Sequence, residues 1–193
     1  MIDQVVIERL RHTQPNGNEG ALFCNQNKEG MKIQQSFIEQ AVRELKPRHV
    51  IEIGTNKAYF DYFLLTIDEE IMIDTFDIAQ VFGQNVDILN SLFNFKVKFH
   101  FGDSKKTFSK FGADYQVDLA FVDGAHDYAH CVSDLLNCER LEIPYILVDD
   151  CKLIEDVLKA TKEMVDKFGW KFVAKTNEED DRGMVLMKRG QDE

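Results

Sequence analysis

The sequence predicts a protein of the α/β class: a mostly parallel sheet of seven strands, helices on both faces, and an antiparallel β-hairpin at the C-terminal end. Three observations carry this expectation. Short β-branched runs alternate with segments of helical period five times between His49 and Gly169, the pattern of right-handed crossovers in a parallel sheet. The last two strand-like runs, 170–176 and 183–189, have no helix between them, so they pair as a hairpin at one edge. The 193 residues, 44% of them hydrophobic, suffice for one domain with a real core and are short for two.

Along the chain, residues 1–10 are weakly amphipathic, and 12–20, rich in Pro, Asn and Gly, read as a loop. From 31 to 45 apolar residues recur at Ile33, Phe37, Ile38, Ala41, Val42 and Leu45, a helical spacing that Pro47 ends. Residues 49–54 form a buried strand stopped by glycine, 58–67 a helix, and 71–78 a strand that ends in acid. A helix over 81–93, an alternating strand over 96–103 and a short helix over 104–111 follow. Then come a strand over 117–123, a helix over 127–141 with Val132, Leu135, Leu136 and Leu141 inward, and a strand over 144–150. The helix over 153–169 closes on a glycine, and the acidic turn 177–181 reads as a solvated hairpin tip. Residues 29–193 are expected to be one domain, with 1–28 an extension that covers the substrate mouth as a lid.

Formal net charge is −11, a field that repels a phosphate backbone and argues against nucleic acid as a partner. Lys96, Lys98, Lys105, Lys106 and Lys110 read as solvated surface rather than as a binding patch. No apolar run approaches the roughly 20 residues of a membrane helix, and the N-terminus lacks the basic and apolar regions of a secretory signal. A cytoplasmic location with no membrane contact is the expectation. Of the four cysteines, Cys24, Cys131, Cys138 and Cys151, none form a CxxC pair. Cys131 and Cys138 share a helical face and read as small hydrophobes, and Cys151 beside two acids reads as packing rather than as a nucleophile.

The chemistry is expected at the carboxyl ends of the strands, where open parallel sheets bind ligands. The five parallel runs end in EIGTNK, in Asp77, in Asp103-Ser104, in Asp123 and in Asp149-Asp150. Helix capping explains such residues singly. All five together point to ligand binding. Gly54 allows a sharp turn and close approach of a ligand, and Asp77, 23 residues later, is placed to accept ribose hydroxyls. GxGxxG is absent, which favours a nucleoside without phosphates over a dinucleotide. The adjacent carboxylates of Asp149 and Asp150 repel unless a cation is near, and Asp123 is a third oxygen donor. All-oxygen ligation suits Mg2+; the alternative is that Asp150 caps a helix and Asp149 faces solvent. His126, in the turn after Asp123, has the pKa range of a general base. His130, four residues on, could share its helical face in a zinc site, but without a third soft donor it reads as packed or solvated.

The order EIGTNKAY, an acid ending the second strand, GDS, VDGAHDY, VDD and a final hairpin resembles class I S-adenosylmethionine-dependent methyltransferases, whose sheet is Rossmann-like. Within them it is similar to the small metal-dependent O-methyltransferases, the catechol and caffeoyl-CoA type and the bacterial sugar and macrolide type. The similarity spans roughly residues 29–189. It implies S-adenosylmethionine as cofactor, with Glu52 and Gly54 along its methionine part, Asp77 on the ribose, and Asp103 and Ser104 against the adenine. Thr55, Asn56, Ile78 and Asp123 complete the implied cofactor contacts. Asp123, Asp149 and Asp150 would hold a divalent cation, Mg2+, and His126 would be the base, with Asp123 beside it in catalysis. The chain departs from the family at Asn56 and Ala58, where glycines are usual, and at Phe60, where relatives carry a small hydroxyl residue for the cofactor carboxylate.

Metal-assisted O-methylation of a small hydroxylated acceptor, a sugar diol or catechol-like molecule, is the activity implied. A second reading is a binding protein that keeps the pocket without turnover. A third, methylation of nucleic acid or protein, is opposed by the charge and by the absence of an aromatic-proline motif after the fourth strand. A homodimer is compatible with the sequence.

Overall fold

The computed structural model describes residues 3–11 and 29–190. The expected loop at 12–20, Cys24 and most of the expected lid lie outside the described residues. The apolar runs form β1 (His49–Ile53), β2 (Met72–Asp77), β3 (Val97–Phe101), β4 (Leu119–Val122), β5 (Tyr145–Val148), β6 (Lys171–Lys175) and β7 (Val185–Lys188). They make one sheet in the order β3-β2-β1-β4-β5-β7-β6. The first five strands are parallel, and β7 is antiparallel to both β5 and β6.

Period-two alternation sends residues of each strand to opposite faces. Val50, Leu119 and Leu147 pack with α1 (Gln4–Arg11), α2 (Glu29–Leu45), α3 (Tyr59–Ile67) and α4 (Gly83–Leu92). Ile51, Ala120, Ile146 and Val148 pack on the other face with α6 (Tyr128–Arg140) and α7 (Glu155–Phe168), and Phe108 joins them just past α5 (Ser104–Thr107). Strands covered on both faces bury both sets of side chains, which is why β4 and β5 are continuous apolar runs rather than alternating ones. Each such side chain contributes about 1.5–3 kcal/mol by leaving water. In α7 the buried Val157, Ala160, Thr161 and Met164 keep helical spacing, and Gly169 ends the helix at φ 72.

The expected helix over 104–111 is one α-turn followed by a 3-10 turn over Phe108–Lys110. Helix α2 starts at Glu29, two residues earlier than the apolar spacing predicts. From the expected extension, α1 buries Ile7 and Leu10 in the core. Several strands stop before the acid expected to end them; Asp103 instead caps α5, accepting from Lys105 N at 3.0 Å. The acidic turn is not a solvated tip throughout. Asn177, Glu178 and Glu179 are exposed, but Asp180 is buried and Arg182 turns inward. Among the described residues no helix is long and apolar enough to cross a membrane.

Candidate active site

Parallel register brings the strand ends together. Ile53 pairs with both Phe76 and Val122, and Val122 pairs with Val148. Gly54, Asp77, Asp123 and Asp149 therefore reach the same rim of the sheet. Strand β1 lies between β2 and β4, the point where strand order reverses and a crevice opens. Gly54 has φ +100, and a Cβ there would lie 2.1 Å from the carbonyl oxygen of Asp123. That contact is how β1 and β4 open side by side into one cleft. Asn56 and Ala58 then adopt left-handed backbone at φ 46 and φ 58, the region glycine favours. The turn keeps the form expected of the glycine version, with strain of about 1 kcal/mol at Ala58.

A cavity of about 470 Å³ opens at this rim, a size suited to a small-molecule ligand. Gly54, Asn56, Asp77, Ile78, Asp103, Ser104, Asp123 and His126 all line it. Asp77 accepts from Asn56 N at 2.9 Å through Oδ2 and from Ala79 N at 2.8 Å through Oδ1. Each oxygen keeps a lone pair for a further donor. Burial raises the Asp77 pKa, and the backbone hydrogen bonds oppose that.

Phe76, Phe82, His130 and Arg182 also line the cavity and were not expected there. His130 is neither packed away nor loose in water. Its Nδ1 lies 2.5 Å from Asp127 Oδ2 and its Nε2 3.8 Å from Asp103 Oδ1. Asp127 caps α6 by accepting from His130 N. The sequence signal for that placement is a capping aspartate three residues before a histidine.

Glu52 and Thr55 lie beneath the cavity instead of on its wall. Glu52 Oε2 accepts from Thr75 Oγ1 at 2.5 Å, and Thr55 Oγ1 lies 2.6 Å from the same hydroxyl. On β1, Glu52 shares the face of Val50, toward α3, where it meets Asp61. Burial, then the Asp61 charge, holds the Glu52 carboxyl well above its usual range, and burial pushes Asp61 up to about 7. Phe60 stacks on Phe121 with ring centroids 3.9 Å apart. It faces the core and does not fill the cavity.

The buried acid pair makes stability depend on pH. Both carboxyls bind protons more tightly folded than unfolded, where the pKa is about 4. The stabilisation from each is complete below its unfolded value and is lost as pH rises through its folded one, about 7 for Asp61. The melting temperature is expected to fall by several degrees between about pH 5 and pH 8. Asp61→Asn is expected to flatten that fall and to be the more stable protein at the alkaline end. Thermal melts across that range check it; a wild-type melting temperature that rises with pH would contradict it.

His126 Nε2 lies 3.3 Å from Asp123 Oδ1 and 3.1 Å from Asp150 Oδ2. The hydrogen bond to Asp123 raises the His126 pKa. One ligand atom from each of Asp123, His126 and Asp150 lies within 4.8 Å of the others. Asp149 stands apart from that cluster. Its Oδ1 accepts from Gln34 Nε2 at 2.9 Å and its Oδ2 from Arg182 Nη2 at 3.3 Å. Arg182 Nη2 also donates to Asp150 Oδ2 at 2.8 Å. Arg182 Nε sits 2.8 Å from Asp150 Oδ1 but out of line for a hydrogen bond, so that contact is an ion pair alone. Burial, then the charges of Asp123 and Asp150, holds Asp149 well above the usual carboxylate range; burial also raises Asp150. Cys151 is buried and its thiol is pushed up to about 12 by burial, so it is packing, as expected.

A family model described as a methyltransferase domain matches residues 10–151. No curated protein matches the sequence. Among solved structures, the chain is similar to an O-methyltransferase from Bacillus cereus in complex with SAH, at 15% identity and a TM-score of 0.68, covering 98% of this chain and 92% of that one. It is similar to an SAH-bound methyltransferase from Podospora anserina, at 14% identity and a TM-score of 0.68, covering 98% and 89%. A third is the O-methyltransferase TomG from Streptomyces achromogenes, involved in tomaymycin synthesis and in complex with SAM, at 15% identity, a TM-score of 0.66 and coverage of 82% and 80%. At such identities the likeness is one of fold.

Proposed function

This chain belongs to the methyltransferase-domain family, and from that premise we propose that it transfers the methyl group of S-adenosylmethionine to a hydroxyl oxygen of a small acceptor. The observation that carries the reading is the single cavity that brings Gly54, Asp77 and Asp103 together with Asp123 and His126. Asp77 accepts from the ribose hydroxyls, Asn56 and Ile78 flank it, and Asp103 and Ser104 border the adenine. The part of the cavity at His126 then receives the methyl acceptor. Glu52 and Thr55 support the turn from below instead of touching the cofactor.

His126 is the base. With the proton on Nε2, which meets Asp123 Oδ1 at 3.3 Å in a hydrogen bond and Asp150 Oδ2 at 3.1 Å as an ion pair, Nδ1 is the basic nitrogen, the arrangement of an acid-oriented imidazole. Removing the hydroxyl proton as oxygen attacks the methyl carbon lets the sulfonium leave as a neutral thioether. The remaining acceleration comes from holding oxygen, methyl and sulfur in line.

Mg2+ held by Asp123, Asp149 and Asp150 does not fit these side chains. Asp149 and Asp150 already hold the Arg182 guanidinium, and Asp149 is not in the cluster that Asp123 forms with Asp150. The cluster that remains takes His126 as a ligand, which would cost it the role of base. No step here passes through a metal.

The acceptor is a small hydroxylated molecule, with sugar diols and catechols the first to screen; the net charge of −11 argues against nucleic acid. Incubation with S-adenosylmethionine carrying a labelled methyl and a panel of such acceptors tests the reading. Labelled product from at least one acceptor is the expected result. Tight cofactor binding without transfer to any of them would favour the alternative, a protein that keeps the pocket without turnover.

A further inference from the structure

We propose that Arg182 is the built-in cation of this centre: its guanidinium pairs with both Asp149 and Asp150 and occupies the place a divalent ion would need. Each of the four carboxylate oxygens lies within 3.3 Å of a protein nitrogen, three of them on Arg182 and one on Gln34. The two acids are 3% and 1% exposed, so water cannot supply the compensation. A magnesium ion needs oxygens at about 2.0–2.1 Å and would lie directly against the guanidinium charge. Arginine suits the task because its planar fork contacts both carboxylates at once.

The position of Arg182 is fixed by backbone as well as by charge. Lys152 N and Leu153 N donate to the Arg182 carbonyl at 2.8 and 2.9 Å, and Cys151 N donates to Gly183 O at 2.8 Å. The turn before β7 is thus stitched to the residues that follow Asp150. Gly183, at φ +76, permits that approach, since a Cβ there would lie 2.4 Å from the Lys152 Cβ and 2.9 Å from its nitrogen. Buried Asp180 accepts from Arg182 N at 3.1 Å and from Gln34 Nε2 at 3.4 Å, so Gln34 ties the acid pair to the same turn. Five residues from three distant parts of the chain close on one hydrogen-bonded cluster.

For the proposed methyl transfer, on which the acceptor's part of the argument rests, this removes the need for chelation. A line of contacts runs from Arg182 through Asp150 and His126 to Asp123. Arg182 acts as a positioning residue: it holds Asp150, and Asp150 holds the imidazole. An acceptor with a single hydroxyl at His126 then suffices, without a second adjacent oxygen.

Calorimetric titration of the EDTA-treated full chain with Mg2+ and with Mn2+ tests the assignment, together with thermal melts in EDTA and in excess metal. The expected result is no saturable heat and melting temperatures that agree within about 1 °C, since an ion that does not bind the folded state does not shift its stability. Arg182→Gln is expected to gain saturable Mn2+ binding and to melt several degrees higher with the ion than without it. One-site binding of either ion by the wild type, with a raised melting temperature, would overturn the proposal. So would an Arg182→Gln protein as indifferent to Mn2+ as the wild type. Should that variant not fold, Arg182→Lys serves, because a point charge cannot bridge both carboxylates and Mn2+ is expected to compete for them. Cofactor binding reports separately: failure of S-adenosylhomocysteine to bind would count against methyl transfer, while the metal titration still decides the role of Arg182.

Discussion

Gly54→Ala is expected to abolish cofactor binding and to leave little folded protein. The new Cβ would fall 2.1 Å from the Asp123 carbonyl oxygen and 2.7 Å from its carbon. Both are backbone atoms, so no side chain can swing away. The φ of +100 is a conformation that an alanine resists even in open space. Relief requires that the turn after β1 move away from the end of β4, which separates Asn56 and Asp77 from Asp123. The cost is expected to exceed about 4 kcal/mol, in the range reserved for backbone overlap at a strained position. Urea unfolding of purified variant and wild type measures it. A Gly54→Ala protein with the wild-type midpoint would show that the turn is not the pivot of the cleft.

His126→Gln is expected to do the opposite: to spare the fold and remove the chemistry. His126 is 42% exposed in its side chain and packs against nothing in the core. Loss of a general base lowers kcat by about 10²- to 10⁴-fold. Affinity for S-adenosylhomocysteine is expected to stay within about threefold, since the base touches the acceptor end of the cavity. The pH profile adds an independent sign. The hydrogen bond to Asp123 raises the His126 pKa, so the proton blocks the base up to a pH above the usual histidine value of about 6.5. Wild-type rate should climb through that raised value and level off beyond it. The variant should lack this limb. Equal kcat in both proteins would remove His126 from the reaction.

Much of this architecture can be read in the residues because each strand announces its own end. Apolar runs set β1 to β5, and a carboxylate or glycine marks the rim that later forms the cavity. Gly54, Asp77, Asp103 and Asp123 could be placed at that rim from their position after such runs. Glu52 could not be placed by motif alone. The family pattern implies a cofactor contact, but two-residue alternation puts Glu52 on the face of Val50, toward α3 and Asp61. The alternation carried that information, and the motif outweighed it.

The partner of Asp149 and Asp150 was harder to see for a different reason. Arg182 lies more than 30 residues further on, in a turn whose composition is that of an exposed tip. Nothing local distinguishes its acids; what turns Asp180 and Arg182 inward is the docking of that turn on the residues after β5. The pairing is a property of the closed sheet, in which β7 returns antiparallel beside β5. Phe60 shows the same limit. Sequence sets it where a hydroxyl residue is expected, while packing stacks it on Phe121 away from the cavity.

Calorimetric titration of the full chain with S-adenosylhomocysteine, beside Asp77→Ala, tests the central claim most directly. The account predicts one-to-one saturable binding in the micromolar range for the wild type. It predicts binding weaker by at least about tenfold in Asp77→Ala, because hydrogen bonds to a charged acceptor are worth about 1.5–3 kcal/mol. No saturable heat in the wild type, or equal affinity in the two proteins, would contradict it.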